Sequence, residues 1–544
     1  MSIERIHSLI ETLKDESYQP RPSRRTYIPK KNGKMRPLGI SAVDDKLVQE
    51  VVKMILEAIY ERQFETTSHG FRPHRSCHTA LDYVKKAFTG AKWFIEGDIK
   101  GFFDNISHDV MISILRERIS DERFLRLIRK FLNAGYIEEW NFHKTYSGTP
   151  QGGIISPVLA NIYLDKFDKF VKEYISRFDK GKLKQRNPES KKIGKRKYKL
   201  VKKLEAEKDV VKRKELSMAI KETVKQRVRI SSNNEMDENY RRLKYVRYAD
   251  DWLVGVIGNK EDCKRIKEDF KNYLNTELKL KLSDEKTLIT NSRERAKFLG
   301  YEVRVRRSNQ TKRNKFGIPR RSFNGRVNLF VPHEAMKKKI EEYGAMRINT
   351  QRGKEVWMSA KRPTLCNLDD VGILSRYNSE IRGFYNYYSL ANNCSIIHSF
   401  YNIMEYSMYK TLATKHKSTV RKIIRKFSQN GEFVISYVNQ KGEKKRYKFY
   451  NGGFKRKDLD RKNYYADNLP RITYYMGKLT TRLMDRLRRR VCEYCGTIDD
   501  LKMYHVRKLK KLKGKHDWEK VMIERRRKTM AVCCQCYDMI HAKK

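Results

Sequence analysis

The segment Lys244-Tyr245-Val246-Arg247-Tyr248-Ala249-Asp250-Asp251-Trp252-Leu253-Val254-Gly255-Val256 places two adjacent carboxylates between two strand-like stretches. This pattern predicts a β-hairpin with both acids at its tip. Adjacent carboxylates repel each other unless cations neutralise them. Two Mg²⁺ ions about 3.5–4 Å apart would do so, and such a pair commonly catalyses in-line phosphoryl displacement. The alternative is an ordinary turn, because Asp by itself favours turns.

A third carboxylate is needed to bridge two such ions, and the chain offers a candidate upstream. Residues 93–99 read Trp-Phe-Ile-Glu-Gly-Asp-Ile, which is strand-like and carries Asp98 near its end. Asp98 is therefore a candidate to complete a metal site with Asp250 and Asp251. The three acids together indicate such a site more strongly than the Asp-Asp pair does alone.

The composition indicates a polyanionic partner. The 544 residues include 121 Lys and Arg against 65 Asp and Glu, a formal net charge of +56 that is spread along the chain. A field of this size favours nucleic acid, with a membrane surface as the alternative. No apolar run approaches roughly 18 residues and the N-terminus lacks a signal-peptide pattern, so we expect an intracellular protein without a membrane span. The length predicts three or four domains.

Four further stretches of the first half have a recognisable pattern. Residues 24–37 predict a basic hairpin around Asn32-Gly33, which is either a triphosphate-binding element or a solvated face. Residues 147–157 are rich in glycine before a helix, so backbone there can approach a ligand, or it is an ordinary loop. Residues 178–242 are charged and nearly free of aromatics, which indicates a surface insertion. Residues 45–62 predict an amphipathic helix whose apolar face is Leu47, Val51, Met54, Ile55 and Ala58.

Five of the nine cysteines lie between Cys492 and Cys536. Cys492 and Cys495 form one C-x-x-C pair, and Cys533 and Cys536 form a second. Two such pairs in a large intracellular chain predict a structural zinc site with these four ligands, leaving Cys534 spare. The alternative is a set of reduced cysteines without metal.

Seven blocks within residues 20–305 resemble the motifs of a reverse transcriptase, and more narrowly those of the proteins encoded by bacterial and organellar group II introns. They occur in the order typical of that family, which makes a chance match to the whole series untenable. The blocks are Arg36-Pro37-Leu38-Gly39-Ile40, His69-Gly70-Phe71-Arg72, Glu96-Gly97-Asp98-Ile99, Gly148-Thr149-Pro150-Gln151-Gly152-Gly153, Tyr248-Ala249-Asp250-Asp251, Leu282-Ser283-Asp284-Glu285-Lys286-Thr287 and Leu299-Gly300-Tyr301.

The resemblance implies a polymerase centre. Asp98, Asp250 and Asp251 match the carboxylates that hold two Mg²⁺, with the backbone carbonyl of Ile99 as a further ligand. One ion would activate the primer 3′-hydroxyl, and the other would hold the departing pyrophosphate.

The same resemblance assigns six residues to binding of the incoming deoxynucleoside triphosphate. Three cations grip the phosphates, an aromatic gate collides with a ribose 2′-hydroxyl, a glutamine lines the pocket, and a lysine lies near the leaving group. In that order the residues are Arg24, Lys30 and Arg36, then Phe103, Gln151 and Lys286. The alternatives are core packing for Phe103 and a surface charge for Lys286.

The family continues with a helical thumb, called domain X or the maturase domain. Residues 375–388 resemble its signature, and their aromatics Tyr377, Phe384 and Tyr388 fall with Ile381 at helical spacing, which favours the core over base stacking. The basic amphipathic stretch 410–426 resembles a surface that binds intron RNA or target DNA through phosphates. Residues 428–486 match a DNA-binding region with little pattern of its own.

The tail resembles an H-N-H type endonuclease, in which histidines surround one catalytic metal ion. His505 matches the general base, while Tyr504 and Tyr537 stand where metal-binding histidines are expected, and His541 remains. A neutral phenol is a poor Mg²⁺ ligand compared with carboxylate. We therefore expect a zinc-bound fold with weak or absent nicking activity. Two residues stay open as substitute ligands: His516 and Asp517.

These observations predict an α+β multidomain protein. The expected domains are a right-hand polymerase with fingers and an antiparallel palm sheet (1–310, with the insertion at about 178–242), a helical thumb (311–427), a basic DNA-binding region (428–486) and a zinc-bound, HNH-like ββα tail (487–544). Family members carry several dozen residues before the position matching Ile3, so we expect that extension to be lacking here.

The expected function is an RNA-directed DNA polymerase that is also a splicing maturase. Its partners would be group II intron RNA, target DNA and deoxynucleotides, in a bacterial cytoplasm at the nucleoid or in an organelle. Two rival hypotheses remain. One is an RNA-binding maturase with an idle polymerase, which the complete set of carboxylates disfavours. The other is a reverse transcriptase of a defence system or retron, which the thumb and the zinc tail disfavour.

Overall fold

The computed structural model describes residues 3–29, 33, 35–149, 152–234, 237–308, 310–313, 319–321, 324–438, 443–459, 486–487, 490–506, 509, 512, 514–525 and 527–542. The chain divides into two compact units, one ending at Leu329 and the other formed by Phe330–Asp458 with the residues from Arg486 onward. No helix in these described segments is long and apolar enough to cross a bilayer.

The first unit mixes helices and short strands. Its helices are α1 (Ile3–Lys14), α2 (Val43–Tyr60), α3 (Cys77–Ala87), α4 (Phe102–Asn105), α5 (His108–Arg116), α6 (Glu122–Asn133), α7 (Ser156–Phe178), α8 (Pro188–Ala206), α9 (Val210–Arg229) and α10 (Lys260–Thr276). Its strands are β1 (Ser23–Pro29), β2 (Met35–Ile40), β3 (Trp93–Asp98), β4 (Tyr136–Glu138), β5 (Asn141–His143), β6 (Arg242–Tyr248), β7 (Asp251–Ile257), β8 (Leu288–Asn291), β9 (Ala296–Phe298), β10 (Tyr301–Val305), β11 (Thr311–Arg313), β12 (Pro319–Arg321) and β13 (Val327–Phe330).

A four-stranded antiparallel sheet in the order β6-β7-β3-β8 forms the centre of this unit. The predicted hairpin is confirmed as β6 and β7. Helices α7 and α10 pack their aromatic side chains on it, and the Phe167 ring lies 5.9 Å from Trp252 and 5.3 Å from Phe270. A Cβ on Gly97 would lie 2.1 Å from the Trp252 ring. Only glycine at position 97 therefore leaves room for the Trp252 indole to pack against β3.

A second sheet, in the order β2-β1-β4-β5, carries the predicted basic hairpin, with α2 following it in the chain. The apolar face predicted for α2 was wrong. Leu47, Val51, Met54, Ile55 and Ala58 are exposed, and the buried face is Val48, Val52, Leu56 and Tyr60. Both sets recur at helical spacing, so α2 is apolar on two sides and its sequence could not show which side packs inward.

The charged insertion forms a helical hairpin of α8 and α9. Backbone pairing between Lys180 and Arg241, and between Arg186 and Asn233, joins the two ends of the insertion to each other at its base. Within the two helices only Ser190 and Thr223 are buried. The insertion is thus a surface element, as its composition predicted. Further along, β13 pairs with β10, so the first unit extends past residue 310.

The second unit begins with a helical part. Its elements are α11 (His333–Glu342), β14 (Met346–Gln351), β15 (Lys354–Ser359), α12 (Asp370–Tyr388), α13 (Ile397–Lys415), α14 (Val420–Phe427), β16 (Ser428–Gln429), β17 (Glu432–Val438) and β18 (Lys444–Lys448). The aromatic positions predicted for the core of α12 are buried, and the Phe384 ring stacks 4.3 Å from Phe400 of α13. The Tyr377 hydroxyl lies 2.8 Å from that of Ser407. The core interpretation of this signature is confirmed.

Strands β17 and β18 and the chain after them pack on α12. The Asn378 amide donates to the Lys448 carbonyl at 2.8 Å and accepts from the Tyr450 backbone N–H at 2.9 Å. The Tyr385 hydroxyl donates to the Lys455 carbonyl at 2.7 Å. The first part of the predicted DNA-binding region is therefore attached to the thumb helix, while residues 460–485 lie outside the described residues.

The tail contains β19 (Leu501–His505), α15 (Asp517–Arg525), β20 (Thr529–Cys533) and α16 (Cys534–Ala542). The two strands pair antiparallel and α16 follows directly, which gives the expected ββα arrangement with α15 inserted between the strands. Its core includes Tyr504, Trp518, Met522, Met530, Val532 and Ile540. This small domain therefore buries an apolar cluster of its own.

Candidate active site and zinc cluster

The central sheet brings the three predicted carboxylates together at one end. Asp98, the last residue of β3, pairs directly opposite Asp251, the first residue of β7. Residues opposite each other in antiparallel strands have Cβ atoms about 4.5–5.5 Å apart. Asp250 lies in the turn between them and follows Ala249, whose φ is 55°. All three carboxylates are half-buried. The Ile99 backbone pairs with Leu282 immediately after Asp98.

The site concentrates negative charge. Burial raises the pKa of Asp251 to about 7, and repulsion from Asp250, Asp98 and Glu96 adds to that rise. A hydrogen bond from the Leu299 backbone N–H opposes it. Clustered, half-buried carboxylate oxygens of this kind are the hard ligands that Mg²⁺ prefers, and a cation would relieve their repulsion. The side chains present therefore fit divalent metal ions.

Cations near the site offset part of this charge. The Lys286 Nζ lies 2.8 Å from an Asp98 carboxylate oxygen, and this hydrogen bond raises the pKa of Lys286. Burial raises the pKa of Asp250, repulsion from Asp98 adds to the rise, and the charges of Arg36 and Lys286 lower it. Lys286, placed by resemblance near the leaving group, therefore neutralises a carboxylate here.

Replacing Asp251 with asparagine is expected to raise the unfolding temperature of the magnesium-free protein, and to raise it more at pH 8 than at pH 5. The raised pKa means that the folded state favours the protonated carboxyl. The protonated Asp251 carboxyl therefore contributes stability at low pH, and this contribution is lost as the pH rises from about 4 towards 7. Asparagine cannot ionise, so it escapes that loss.

Thermal unfolding in magnesium-free buffer without chelator measures this effect and keeps any zinc in the tail. The matched control is Asp109→Asn, because the Asp109 carboxyl lies on α5 and is exposed, where it pairs with Arg129. Equal shifts at both pH values in Asp251→Asn would contradict the raised pKa.

Two of the predicted triphosphate-binding cations share one face of the fingers hairpin. Arg24 pairs opposite Ile40, and Arg36 pairs opposite Ile28, so Arg24 and Arg36 project from the same side of the two-stranded ribbon. Both are exposed. Arg25 points the other way, where its guanidinium lies 3.3 Å from the Tyr136 ring centroid. Lys30 and Gln151 lie outside the described residues.

Phe103 lies between the core and the glycine-rich loop. Its ring is half-buried and lies 5.2 Å from that of Phe102. Its carbonyl accepts from the Thr149 N–H at 2.8 Å, and a Cβ on Gly148 would lie 2.7 Å from the same oxygen. Gly148 also has a φ of +85°. Glycine is therefore required where this loop meets α4.

Sequence reasoning missed a buried ion pair behind the Asp250-Asp251 turn. Arg247 donates from Nε and Nη2 to the two Asp168 carboxylate oxygens at 2.8 and 2.5 Å, and both side chains are 0% exposed. Breaking a pair of this kind typically costs about 3–5 kcal/mol. Burial alone would lower the pKa of Arg247, but the charge of Asp168 outweighs it and the pKa lies above its usual value. The available signal was that Arg247 continues the alternation of Leu243 and Tyr245, so all three project from the same face of β6.

The four cysteines of the tail converge. Their sulfur atoms all lie within 4.8 Å of one another, and the Sγ atoms of Cys495 and Cys533 are 3.8 Å apart. Four thiolates about 2.3 Å from a tetrahedral Zn²⁺ would lie about 3.8 Å from each other. Hydrogen bonding with Thr497 lowers the pKa of Cys495 to about 6, which favours its thiolate, whereas burial and the neighbouring sulfur atoms raise the pKa of Cys536. Cys534 lies outside the cluster.

The tail's remaining candidate residues form an aromatic cluster. Tyr504 is 1% exposed, and its ring lies 5.3 Å from Trp518 and 5.5 Å from His541. The Tyr537 ring lies 4.5 Å from His541. His505 is exposed and alternates with Tyr504 along β19, so the two side chains project from opposite faces of the strand.

His516 and Asp517, the two residues left open as substitute metal ligands, contact other side chains of the tail. The His516 ring stacks parallel to Trp518, with centroids 6.4 Å apart. The Asp517 carboxylate pairs with Lys520 at 2.9 Å. The His541 ring packs against the rings of Tyr504 and Tyr537.

An antiparallel palm sheet with three convergent carboxylates, beside a cationic hairpin, defines a polymerase of the reverse transcriptase class. Residues 28–185 and 224–303 match the family described as reverse transcriptase (RNA-dependent DNA polymerase). The gap between them falls on the α8–α9 hairpin. Residues 324–476 match type II intron maturase, and residues 492–537 match AI2M/AI1M-like HNH endonuclease.

Similar proteins are known across the whole chain. The group II intron-encoded protein LtrA of Lactococcus lactis subsp. cremoris is 44% identical over 553 residues, covering 100% of this chain and 90% of LtrA. A 91 kDa protein in the cob intron of Schizosaccharomyces pombe is 36% identical over 555 residues, covering 100% of this chain and 65% of that protein. A telomerase from Candida tropicalis aligns with 55% of this chain and 57% of its own at 13% identity, with a TM-score of 0.32 that is too low to bear on the fold.

The chain belongs to the family of group II intron-encoded proteins. It is an RNA-directed DNA polymerase with a type II intron maturase domain and an HNH-type tail. Enzymes of the reverse transcriptase class use divalent metal ions, and the four-cysteine cluster is compatible with zinc.

Proposed function

We propose that the chain copies intron RNA into DNA at Asp98, Asp250 and Asp251, which would hold two Mg²⁺ ions together with the Ile99 carbonyl. The observation that carries this proposal is the register of β3 and β7, which sets Asp98 opposite Asp251 beside the Asp250 turn. The two ions would activate the primer 3′-hydroxyl and stabilise the departing pyrophosphate. The protein's own part is to hold the carboxylates close together in a half-buried setting.

The incoming deoxynucleotide would be held by cations of the fingers and palm. Arg24 and Arg36 support this role because they are exposed on one face of the hairpin, and Lys30 follows in the same segment of the chain. Lys286 is 67% exposed. Once a cation occupies the Asp98 carboxylate, this flexible side chain is free to turn towards the leaving group. Gln151 would line the nucleotide pocket.

Replacing Phe103 with alanine is expected to raise incorporation of ribonucleotides relative to deoxynucleotides by about 10–100-fold. A bulky ring that collides with a 2′-hydroxyl supplies discrimination of this size, and a smaller side chain removes it. The ratio of kcat/KM for the two nucleotides measures the change. Phe142→Ala, at an exposed position of β5, is the matched control and should leave the ratio unaltered. An unchanged ratio in Phe103→Ala would assign that ring to core packing alone.

The proposed partners are the RNA of a group II intron, whose splicing the protein assists, and the target DNA. The maturase match and the net charge of +56 support this, since phosphates attract Lys and Arg without regard to sequence. The proposed location is a bacterial cytoplasm at the nucleoid, with an organelle as the alternative; the bacterial relative supports the bacterial cytoplasm. We retain as a proposal the division into polymerase (1–310), thumb (311–427), DNA-binding region (428–486) and tail (487–544).

We further propose that the tail folds around Zn²⁺ held by Cys492, Cys495, Cys533 and Cys536, and that it nicks DNA weakly or not at all. The burial of Tyr504 in the aromatic core supports this, because a phenol in that setting is a poor Mg²⁺ ligand. His505 and His541 are the residues on which any remaining nicking would depend. The tail would then serve to bind target DNA.

A strand-resolved assay tests both proposals together. Purified protein assembled with its intron RNA is given target duplex labelled on each strand, Mg²⁺ and deoxynucleotides, with and without a supplied primer. We expect extension from the supplied primer and at most a weak nick. Efficient nicking of the strand opposite the insertion would show that the tail cuts despite Tyr504 and Tyr537. The polymerase proposal would be contradicted if neither the supplied primer nor a nicked strand were extended.

A further inference from the structure

The block His69-Gly70-Phe71-Arg72 lies directly against the turn that carries Asp250 and Asp251. The Arg247 N–H donates to the Thr67 carbonyl and the His69 N–H donates to the Arg247 carbonyl, each at 2.9 Å. A Cβ on Gly70 would lie 2.3 Å from the Ala249 backbone nitrogen. Only glycine therefore allows this loop to touch the turn.

The Arg247 guanidinium joins three elements behind the turn. Its pair with Asp168 of α7 uses Nε and Nη2, and Nη2 also donates to the Ser68 hydroxyl at 2.9 Å. Its Nη1 donates to the Ala249 carbonyl at 3.0 Å and to the Asn161 amide oxygen at 3.3 Å. A buried, planar, five-donor group can serve all of these acceptors at once.

Asn161 closes the network from the other side. Its amide nitrogen donates to the Gly70 carbonyl at 2.7 Å, so one side chain of α7 contacts both Arg247 and the loop that touches Ala249. Every contact is buried. These side chains therefore cannot meet a nucleotide, a metal ion or nucleic acid directly, and they can act only through the turn.

The turn has two reasons to need such support. Ala249 has a φ of 55°, a conformation that residues with a Cβ rarely adopt. The two carboxylates that follow repel each other, and burial of the site strengthens that repulsion. Metal ligands must be held within roughly 0.5 Å of their productive geometry by residues that are themselves locked by packing and hydrogen bonds.

We propose that Arg247, held by Asp168 and Asn161, is a positioning residue that fixes the Ala249 carbonyl and so presents Asp250 and Asp251 to Asp98 in a metal-binding geometry before ions arrive. This inference rests on the proposed polymerase function. It gives the His69-Gly70-Phe71-Arg72 block a role, which is to close the rear of the catalytic turn.

The test compares Arg247→Lys with Tyr245→Phe. A lysine keeps the charge beside Asp168 but has one nitrogen, so it cannot also hold the Ala249 carbonyl. Tyr245 is also buried on β6 and donates to the same Asp168 oxygen at 2.8 Å, and among the described residues no hydrogen bond joins its hydroxyl to the turn. Arg247→Lys is expected to lower kcat by about 10²-fold, because displacing a catalytic group by about 1 Å commonly has an effect of this size. The KM for deoxynucleotide should stay within about twofold of the parent value. Tyr245→Phe should lower the unfolding temperature and leave kcat close to the parent value.

Metal binding without substrate provides the second readout. Mn²⁺ is titrated into each full-length protein and followed by electron paramagnetic resonance, with Asp250→Ala defining the background. Loss of a residue that orients metal ligands typically weakens affinity 10–100-fold, so Arg247→Lys should weaken Mn²⁺ binding by about tenfold or more, and Tyr245→Phe should not. Should Arg247→Lys fail to fold, Asn161→Ala replaces it, with weakened Mn²⁺ binding again expected.

Equal changes in both variants, in proportion to their loss of stability, would overturn the positioning role and leave a structural one. Parent protein that binds Mn²⁺ no better than Asp250→Ala, or that extends no primer, would overturn the polymerase proposal and this inference with it. A third outcome would overturn only the inference. In it the parent protein extends primers and binds Mn²⁺, and the Arg247→Lys variant equals it in both activities.

Discussion

Replacing Asp250 with alanine is expected to lower primer extension on an RNA template by at least about three orders of magnitude and to leave assisted splicing largely intact. Metal ions at such a centre supply several kcal/mol of charge stabilisation, and each 1.36 kcal/mol is worth tenfold in rate. Asp250 lies at the tip of the hairpin beside Asp98 and Asp251, so its loss removes carboxylate oxygens from the proposed metal site. Extension rates and splicing rates, measured on the same preparation, test this prediction.

The fold should survive this substitution. The pKa of Asp250 is raised by burial and by Asp98, so removal of its carboxylate relieves repulsion instead of breaking a stabilising contact. Asp109→Asn, at an exposed position of α5, controls for the loss of an acid without loss of a metal ligand. Equal loss of extension and splicing, together with a lowered unfolding temperature, would show that Asp250→Ala unfolds the protein and would contradict a role confined to catalysis.

Replacing Cys533 with serine is expected to remove bound zinc and to unfold the tail. Structural zinc contributes about 10–16 kcal/mol in small zinc-binding domains, more than an apolar core of this size can supply by itself. Cys533 is the last residue of β20 and faces Cys495 across the cluster. Its loss therefore removes one of the four proposed ligands and the sulfur–sulfur contact between the two C-x-x-C pairs. Zinc content of the purified protein and limited proteolysis of the tail measure the effect.

The adjacent Cys534→Ser variant is the matched control, because Cys534 lies outside the cluster. It should retain one zinc ion per chain and a protease-resistant tail. Both variants should still extend a supplied primer on RNA, since the polymerase residues lie in the other unit. Retention of zinc by Cys533→Ser would contradict the assignment of ligands, and loss of zinc from both variants would implicate the general folding of the tail.

The sequence predicted the parts of the polymerase centre that depend on local pattern. Alternating apolar residues on both sides of Asp250 and Asp251 predicted the hairpin, and a second strand ending in Asp98 predicted its neighbour. The structure adds the register that sets Asp98 opposite Asp251. The site residues themselves stay predictions until they are replaced and assayed.

Interactions between distant segments could not be predicted in the same way. Arg247 and Asp168 are 79 positions apart, and their pairing depends on how α7 crosses the sheet. The exposed face of α2 was mistaken for its apolar face because the helix carries apolar residues on two sides. The packing of Tyr450 and its neighbours on α12 depends on Asn378, a buried polar residue of that helix. Periodicity carries no information on such contacts.

Primer extension by the full-length protein tests the central claim most directly. The protein is incubated with an RNA template, an annealed DNA primer, Mg²⁺ and deoxynucleotides, in parallel with an Asp98→Asn variant, and the products are resolved nucleotide by nucleotide. We predict a full-length DNA copy that requires Mg²⁺ and that Asp98→Asn does not make. A protein that promotes splicing of its intron but extends no primer would contradict this claim and identify a maturase with an idle polymerase.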